Sequence, residues 1–313
     1  MNDGKTWDLA TLGEALVEFN QTRPGEPQYL QGFGGDTSNA AIAAARAGAR
    51  AAYLTRVGQD AFGDALLALW QGEGVDTAAV ERDARQPTGV YFVTHGAQGH
   101  QFSYLRAGSA ASQMAPHWVR EGTPLQVLQG SRILHASGIS LAISPMACDA
   151  AFEAIALARA AGARIAFDPN LRLKLWPLER ARACITHAVS LCDIFLPSLE
   201  DMTALTGLAD PEAIVDWGHA RGTDQVVLKL GAEGAIASTR GGPRERIAGR
   251  PAALVDATGA GDCFDGNLLA RLALGDGLAE AARYANAAAA LAVQGYGAVA
   301  PLPRAADVRK ALA

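Results

Sequence analysis

Asp256-Ala257-Thr258-Gly259-Ala260-Gly261-Asp262 is the stretch on which the reading of this chain turns. Small residues with exposed backbone N–H groups run straight into a carboxylate and then into an apolar-periodic helix. The first turn of a helix carries unpaired donors and the positive end of the dipole, so Gly259, Ala260 and Gly261 leave room for an anion to reach them. Asp262 then lies on that first turn, at the end where a reacting group would sit. An ordinary turn with an acidic helix start has the same sequence, so other segments must supply the rest of a site.

Outward from this motif, short β-like runs alternate with amphipathic helical stretches, the pattern of a mostly parallel sheet covered by helices. Strands are expected at Asp8–Gly13, Ala51–Val57, Arg132–Ser137, Arg164–Asp168, Asp193–Pro197, Gln225–Leu230 and Ala235–Ser238. Helices are expected near Asp36–Ala47, Ala61–Gly72, Pro145–Ala161, Leu178–Ser190, Leu199–Leu205, Pro211–Arg221, Gly261–Leu274 and Leu278–Val293, with Gly48, Gly162 and Gly275 as C-terminal stops. Two regions break the rhythm. Residues 14–33 and 88–105 read as extended, with alternation in Val90-Tyr91-Phe92-Val93 and Gln101-Phe102-Ser103-Tyr104 joined by a turn at Gly96–Gly99. Such strands form either a small separate sheet over the site or a plain surface hairpin.

Two further glycine sites lie where ligands bind in such a sheet. Gly34-Gly35-Asp36-Thr37-Ser38-Asn39 opens a helix with close backbone access and an amide that both donates and accepts, a surface suited to a polyhydroxylated molecule. Lys229-Leu230-Gly231-Ala232-Glu233-Gly234 follows an apolar strand and places a cation at its end. Gly4-Lys5-Thr6 imitates the end of a P-loop but has no glycine loop before it. Dinucleotide, zinc-protease and serine-hydrolase signatures are missing from the sequence.

The 313 residues are 50% hydrophobic, enough for one large α/β domain. With 27 Lys and Arg against 32 Asp and Glu the net charge is −5, and no basic run offers a footprint for nucleic acid. An anionic substrate must therefore be met by a few placed arginines. Cys148, Cys184, Cys192 and Cys263 have no paired spacing and are expected as reduced thiols. The charged N-terminal residues and the lack of an apolar run near ~20 residues give the expectation of a cytoplasmic protein without a membrane span.

Gly34–Asn39, Gly48, Gly58-Gln59-Asp60, Lys229–Gly234 and Asp256–Asp262, in this order, resemble the ribokinase-like carbohydrate kinases of the PfkB family over essentially the whole chain. The resemblance implies one domain over 1–313 with a three-layer α/β/α fold, a mostly parallel central sheet, and a small β-sheet lid from about 14–33 and 88–105. It also implies transfer of the γ-phosphoryl of ATP to a sugar or nucleoside hydroxyl. Gly32–Thr37, Tyr104-Leu105-Arg106, Ser137–Leu141, Asp168-Pro169-Asn170-Leu171-Arg172 and Leu175-Trp176 are similar to the family's 2-keto-3-deoxygluconate kinases. An acidic substrate of that kind calls for cations: Arg106 and Arg172 are the candidates, with Tyr91 and Tyr104 as lid donors and Gly34, Gly35 and Asn39 completing the sugar site.

On this resemblance Asp262, with a pKa near ~4, accepts the proton of the acceptor's C6 hydroxyl, late in the transfer, while the N–H groups of Ala260, Gly261 and Asp262 hold the phosphoryl oxygens. Ser198, Lys229, Gly231, Gly234 and Asn286, with Gly259 and Gly261, are assigned to the nucleotide, Lys229, Gly231 and Asn286 near its adenine. Mg²⁺ is expected on the nucleotide phosphates, largely through water, with Asp201 as its indirect acidic neighbour; Ser198 and Asp201 depart from the family's Asn-x-x-Glu pattern here. A monovalent-cation requirement is left open. Asp265 is read as part of a solvated helix face, and none of the six histidines is given a role. A fructokinase or another sugar or nucleoside kinase of the family is the alternative, and a non-catalytic sugar sensor the third. The free strand edges of the lid suggest a homo-oligomer.

Overall fold

Continuous apolar runs become strands buried on both faces, and the chain alternates between them and helices. The computed structural model describes residues 4–96 and 99–313, so the centre of the turn expected at Gly96–Gly99 lies outside the described residues. The strands are β1 (Trp7–Leu12), β2 (Leu16–Gln21), β3 (Tyr29–Gly34), β4 (Ala51–Gly58), β5 (Val80–Asp83), β6 (Val90–Gly96), β7 (Gly99–Leu105), β8 (Ser131–Ser137), β9 (Arg164–Asp168), β10 (Ile194–Phe195), β11 (Gln225–Lys229), β12 (Gly234–Thr239) and β13 (Arg244–Ala248). The helices are α1 (Asp36–Arg46), α2 (Ala61–Gly72), α3 (Pro116–Val119), α4 (Gly122–Gly130), α5 (Gly138–Ala142), α6 (Pro145–Ala160), α7 (Leu178–Leu191), α8 (Leu199–Thr206), α9 (Pro211–Ala220), α10 (Ala260–Ala273), α11 (Leu278–Ala292) and α12 (Ala305–Leu312).

Nine strands form the main sheet in the order β13-β12-β11-β10-β9-β8-β1-β4-β5, parallel except for the antiparallel β11-β12-β13 edge. Its two faces carry separate cores. Leu9, Tyr53, Ile133, Ala166, Ile194 and Val227 pack under α1, α10 and α11, while Leu54, Leu134, Ile165, Phe167, Phe195 and Leu228 pack under the helices of the other layer. The Leu, Ile, Val and Phe side chains among these each contribute about 1.5–3 kcal/mol by leaving water, which holds both helical layers on the sheet. The architecture is thus the three-layer, ribokinase-like one expected. Gly48, Gly162 and Gly275 follow α1, α6 and α10 with φ of 100°, 81° and 105°, the left-handed stop read from the sequence.

A second sheet, ordered β3-β2-β6-β7, stands over the carboxyl ends of the main strands. β2 pairs antiparallel with β3 and parallel with β6, and Phe19 stacks on Phe92 at 5.3 Å to tie the two hairpins together. Strand ends and helix starts then meet on one side: Asp168 ends β9, Lys229 ends β11, and α1 and α10 begin beside them. That is the edge of a parallel sheet where ligands are received.

Candidate active site

Gly259 takes φ 73° and caps α10 in the left-handed conformation, which a side chain there would oppose. Asp256 braces the turn by accepting from the Thr258 N–H at 2.9 Å and from the Gly297 N–H at 2.9 Å. One expectation fails here: the Ala260 N–H donates to the Ala257 carbonyl at 3.1 Å, so it is closed within the turn and is not a donor for an anion. The N–H groups of Gly261 and Asp262 have no protein acceptor among the described residues. A methyl on Gly261 would find only the Lys229 ammonium nearby, at 3.7 Å, so an anion reaching these two amides meets little side-chain bulk.

Asp262 faces this opening from the first turn of α10. Asn39 of α1 donates its side-chain amide to Asp262 Oδ2 at 2.8 Å, across 223 residues of sequence. The approach depends on Gly266, where a side chain would run into the Ala40 carbonyl at 2.2 Å; this glycine lets α1 and α10 pack backbone to backbone. Burial, then the Asp36 carboxylate and more weakly Asp168, push the Asp262 pKa up to about 6 against the pull of Asn39 and Lys229. The ordinary carboxylate value expected from sequence is therefore corrected upward. Asn39 is itself buried, and its Oδ1 has no hydrogen-bond partner among the described residues.

Asp265 is corrected more sharply. It does not lie on a solvated face: its side chain is 1% exposed, and both its oxygens accept from Lys229 Nζ at 3.0 Å. Asp168 Oδ2 takes the same ammonium at 2.9 Å. Lys229, assigned from sequence to the adenine end, is thus anchored under Gly261 of the α10 turn. Burial pushes the Asp265 carboxyl well up, whereas for Asp168 the lysine overcomes burial and holds the pKa below the usual range. Asp168 Oδ1 also accepts the Asn170 N–H at 3.0 Å, and the Asn170 side chain donates to Asp36 Oδ2 at 2.8 Å. Asn170 is the one non-glycine residue with positive φ among those described, at 29°.

On the lid side, Gly35 enters α1 with φ 116°, and a side chain there would strike the Glu14 carbonyl at 2.6 Å. Gly34 faces the Tyr91 hydroxyl, 2.6 Å from where its methyl would be. That hydroxyl donates to Glu18, its register partner on β2, and Tyr104 stacks on Tyr91 at 5.6 Å. Arg106 was expected to stand ready for a substrate carboxylate; instead it forms an ion pair with buried Glu14, which also accepts from Ser109. Arg172 is open, with a side chain 54% exposed, a hydrogen bond to the Leu171 carbonyl at 3.0 Å and a longer 3.8 Å contact to Asp201. Asp201 is raised by burial and by the Asp168 charge, and its N–H donates to the Ser198 hydroxyl at 3.1 Å.

The remaining nucleotide candidates divide. Gly231, at φ 58°, has open space over its backbone, whereas a side chain on Gly234 would collide with the Ile247 carbonyl at 2.1 Å, so that glycine serves the β12-β13 pairing. Asn286 on α11 donates to the Ala248 carbonyl at 2.6 Å and ties the helix to β13. Glu14, Glu18, Asp36, Asp168, Asn170 and Gly266 were given no role in the site from sequence. The spacing of Glu14, Leu16 and Glu18, two residues apart on extended chain, was the available sign that both acids share a face.

Two free amides beside a fixed ammonium fit the outer phosphates of a nucleotide, with a raised carboxylate at hand for the acceptor. No group of three His, Cys, Asp or Glu that could hold a metal ion is found among the described residues. No helix among the described residues is long and apolar enough to cross a membrane.

Comparisons with known proteins give the family. The family model for pfkB family carbohydrate kinases matches residues 7–305. A 2-dehydro-3-deoxygluconokinase of Thermoproteus tenax is 35% identical, with 96% of this chain and 93% of that protein covered. Fructokinase-1 of Oryza sativa subsp. japonica is 33% identical over 98% of each. The fructokinase of Vibrio cholerae O395, solved in a form bound to fructose, ADP and calcium ion, is 30% identical with a TM-score of 0.86, covering 97% of this chain and 98% of that one. The chain therefore belongs to the PfkB family of carbohydrate kinases, phosphotransferases that act on a sugar hydroxyl.

Proposed function

We propose that this kinase uses ATP to phosphorylate the terminal C6 hydroxyl of 2-keto-3-deoxy-D-gluconate. The observation that carries the reading is the Asp262 carboxylate, held by Asn39 and raised to about 6, beside the unpaired N–H groups of Gly261 and Asp262. The hydroxyl oxygen attacks the γ-phosphorus, the bond to the β-phosphate oxygen breaks, ADP leaves, and the hydroxyl proton passes to Asp262. A base with a pKa near working pH is deprotonated yet still basic enough to take that proton late, as the new bond forms. Mg²⁺ would supply charge neutralisation on the phosphates, with the Asp201 carboxyl as its candidate neighbour through water. Asn39 Oδ1, with no protein donor, accepts a sugar hydroxyl, and Arg172 is the cation free to meet the substrate's carboxylate.

One observation favours a second acceptor class. Glu14 already neutralises Arg106, so a neutral sugar such as fructose would lose less in this pocket than the sequence motif alone suggests. Turnover of a panel of keto-deoxy acids, hexoses and nucleosides with ATP and Mg²⁺, followed by ADP release, decides between them: faster turnover of fructose than of the keto acid overturns the first reading. Activity no greater than that of Asp262→Asn on every acceptor leaves only a sugar sensor.

The lid's outer strands are its two edges and carry Leu30 at 69% and Leu105 at 65% exposure, with Tyr29 and Phe102 beside them. A homodimer through this lid, working in the cytoplasm, completes the proposal.

A further inference from the structure

Asp265 takes no part in the reaction just described, yet it is the most deeply buried carboxylate beside it. It lies one helical turn beyond Asp262 and gives both oxygens to Lys229, while Asp168 takes the third contact. An ammonium held this way, by the ends of two strands and a helix, has no freedom to search for a ligand. Burial favours the neutral amine, but the contacts with Asp168 and Asp265 overcome it and keep the charge in place. Stability alone is a weak reason for such a cluster, because well-packed apolar side chains often replace a buried ion group at no loss. Its location gives a better reason. Nζ lies 3.7 Å from where a Gly261 methyl would be, directly under the turn whose amides face the anion.

We propose that Asp265 is a positioning residue which, with Asp168, fixes the Lys229 ammonium beneath Gly261 so that its charge reinforces the anion-binding turn during phosphoryl transfer. The inference rests on the kinase reaction proposed above and assigns Asp265 to the phosphate side of it. Charge preorganised in a dry site acts more strongly than the same charge in water, and removing one such contact typically lowers turnover by about 10²-fold.

The test is a kinetic cycle on Asp265→Leu, Lys229→Met and the double variant, with Asp265→Asn as the isosteric control and a melting curve for each. Asp265→Leu and Lys229→Met are expected to lower kcat by about 10²-fold with acceptor KM within about twofold of the parent. The double variant is expected to be no slower than Lys229→Met alone, since Asp265 acts only through that lysine. Asp265→Asn keeps one acceptor oxygen and falls between parent and Asp265→Leu. Parental kcat in folded Asp265→Leu, losses that multiply in the double variant, or a rise in acceptor KM alone each overturns the inference. Should Asp265→Leu not fold, parental kcat in Asp265→Asn overturns it by itself. A parent that turns over no acceptor overturns the kinase reading and this inference together, whereas an active parent indifferent to position 265 overturns this inference alone.

Discussion

Asn39 and Asp262 meet side chain to side chain at 2.8 Å, and the contact joins α1, which begins after Gly34 and Gly35, to α10, which begins after the left-handed Gly259. The donor favours the carboxylate, the buried surroundings oppose it, and the balance leaves Asp262 near 6. In the parent, kcat/KM is expected to fall about tenfold per pH unit below about 6 as Asp262 is protonated. Asn39→Ala removes a contribution that lowers the pKa, so the acid limb moves to higher pH. A pH profile of kcat/KM checks both; an unmoved limb in Asn39→Ala contradicts the assignment.

Asp262→Asn separates activity from stability. Turnover is expected to drop by several orders of magnitude. The folded pKa of about 6 lies above the ordinary value of 3.8, so the folded form holds more protons between them and stability falls as pH rises from about 4 to about 6. The amide carries no such penalty. Melting curves should therefore show the variant a few degrees more stable than the parent at pH 7, with the gain gone near pH 4.

The two arginines are expected to respond differently. Arg172→Ala removes an exposed side chain with a long ion contact, costing at most about 1 kcal/mol, and its effect falls on the KM for the keto acid, raised by about tenfold or more. Arg106→Ala leaves Glu14 buried and unpaired, a loss of about 3–5 kcal/mol, which a Glu14→Gln change in the same chain partly restores. Denaturant unfolding and acceptor kinetics read the two outcomes.

Glycines offer a second separation. At Gly261 a methyl meets only the Lys229 ammonium, at 3.7 Å, and helix propensity favours alanine, so Gly261→Ala should keep or raise the melting temperature while turnover falls by about tenfold or more. At Gly234, with φ 100° and a carbonyl 2.1 Å from the added carbon, alanine should destabilise by more than about 1 kcal/mol.

Leu30→Asp with Leu105→Lys tests the lid edges. Sedimentation at micromolar concentration is expected to show a dimer for the parent and a monomer for the variant; a monomeric parent removes the proposal.

The long strands and their helices were legible because apolar runs buried on two faces leave little choice, as in β9, found at its expected bounds. β13 was missed since Arg244, Glu245 and Arg246 disguise an edge strand, and α5 since a five-residue helix capped by Ser137 leaves no periodicity. In the candidate site, the left-handed turn that opens α10 was legible as a local pattern. Its partners were not: Lys229 and Asp265 stand 36 residues apart, and nothing in that spacing brings them together. The clue passed over was helical phase, for Asp265 shares an inward face with Leu268 and Leu269, where a solvated acid does not belong. The exposed-looking Arg106 misled in the opposite way, because its neutralising Glu14 lies 92 residues earlier in the chain.

Asn170 has a consequence for how this molecule tolerates change. A left-handed asparagine sits roughly 1 kcal/mol above a relaxed backbone. Glycine would ease that tension, but only this side chain reaches Asp36 while its own peptide nitrogen reaches Asp168. The acid that opens α1 and the acid that ends β9 are therefore moored to a single amino acid, and a disturbance on either shore pulls on the same short rope.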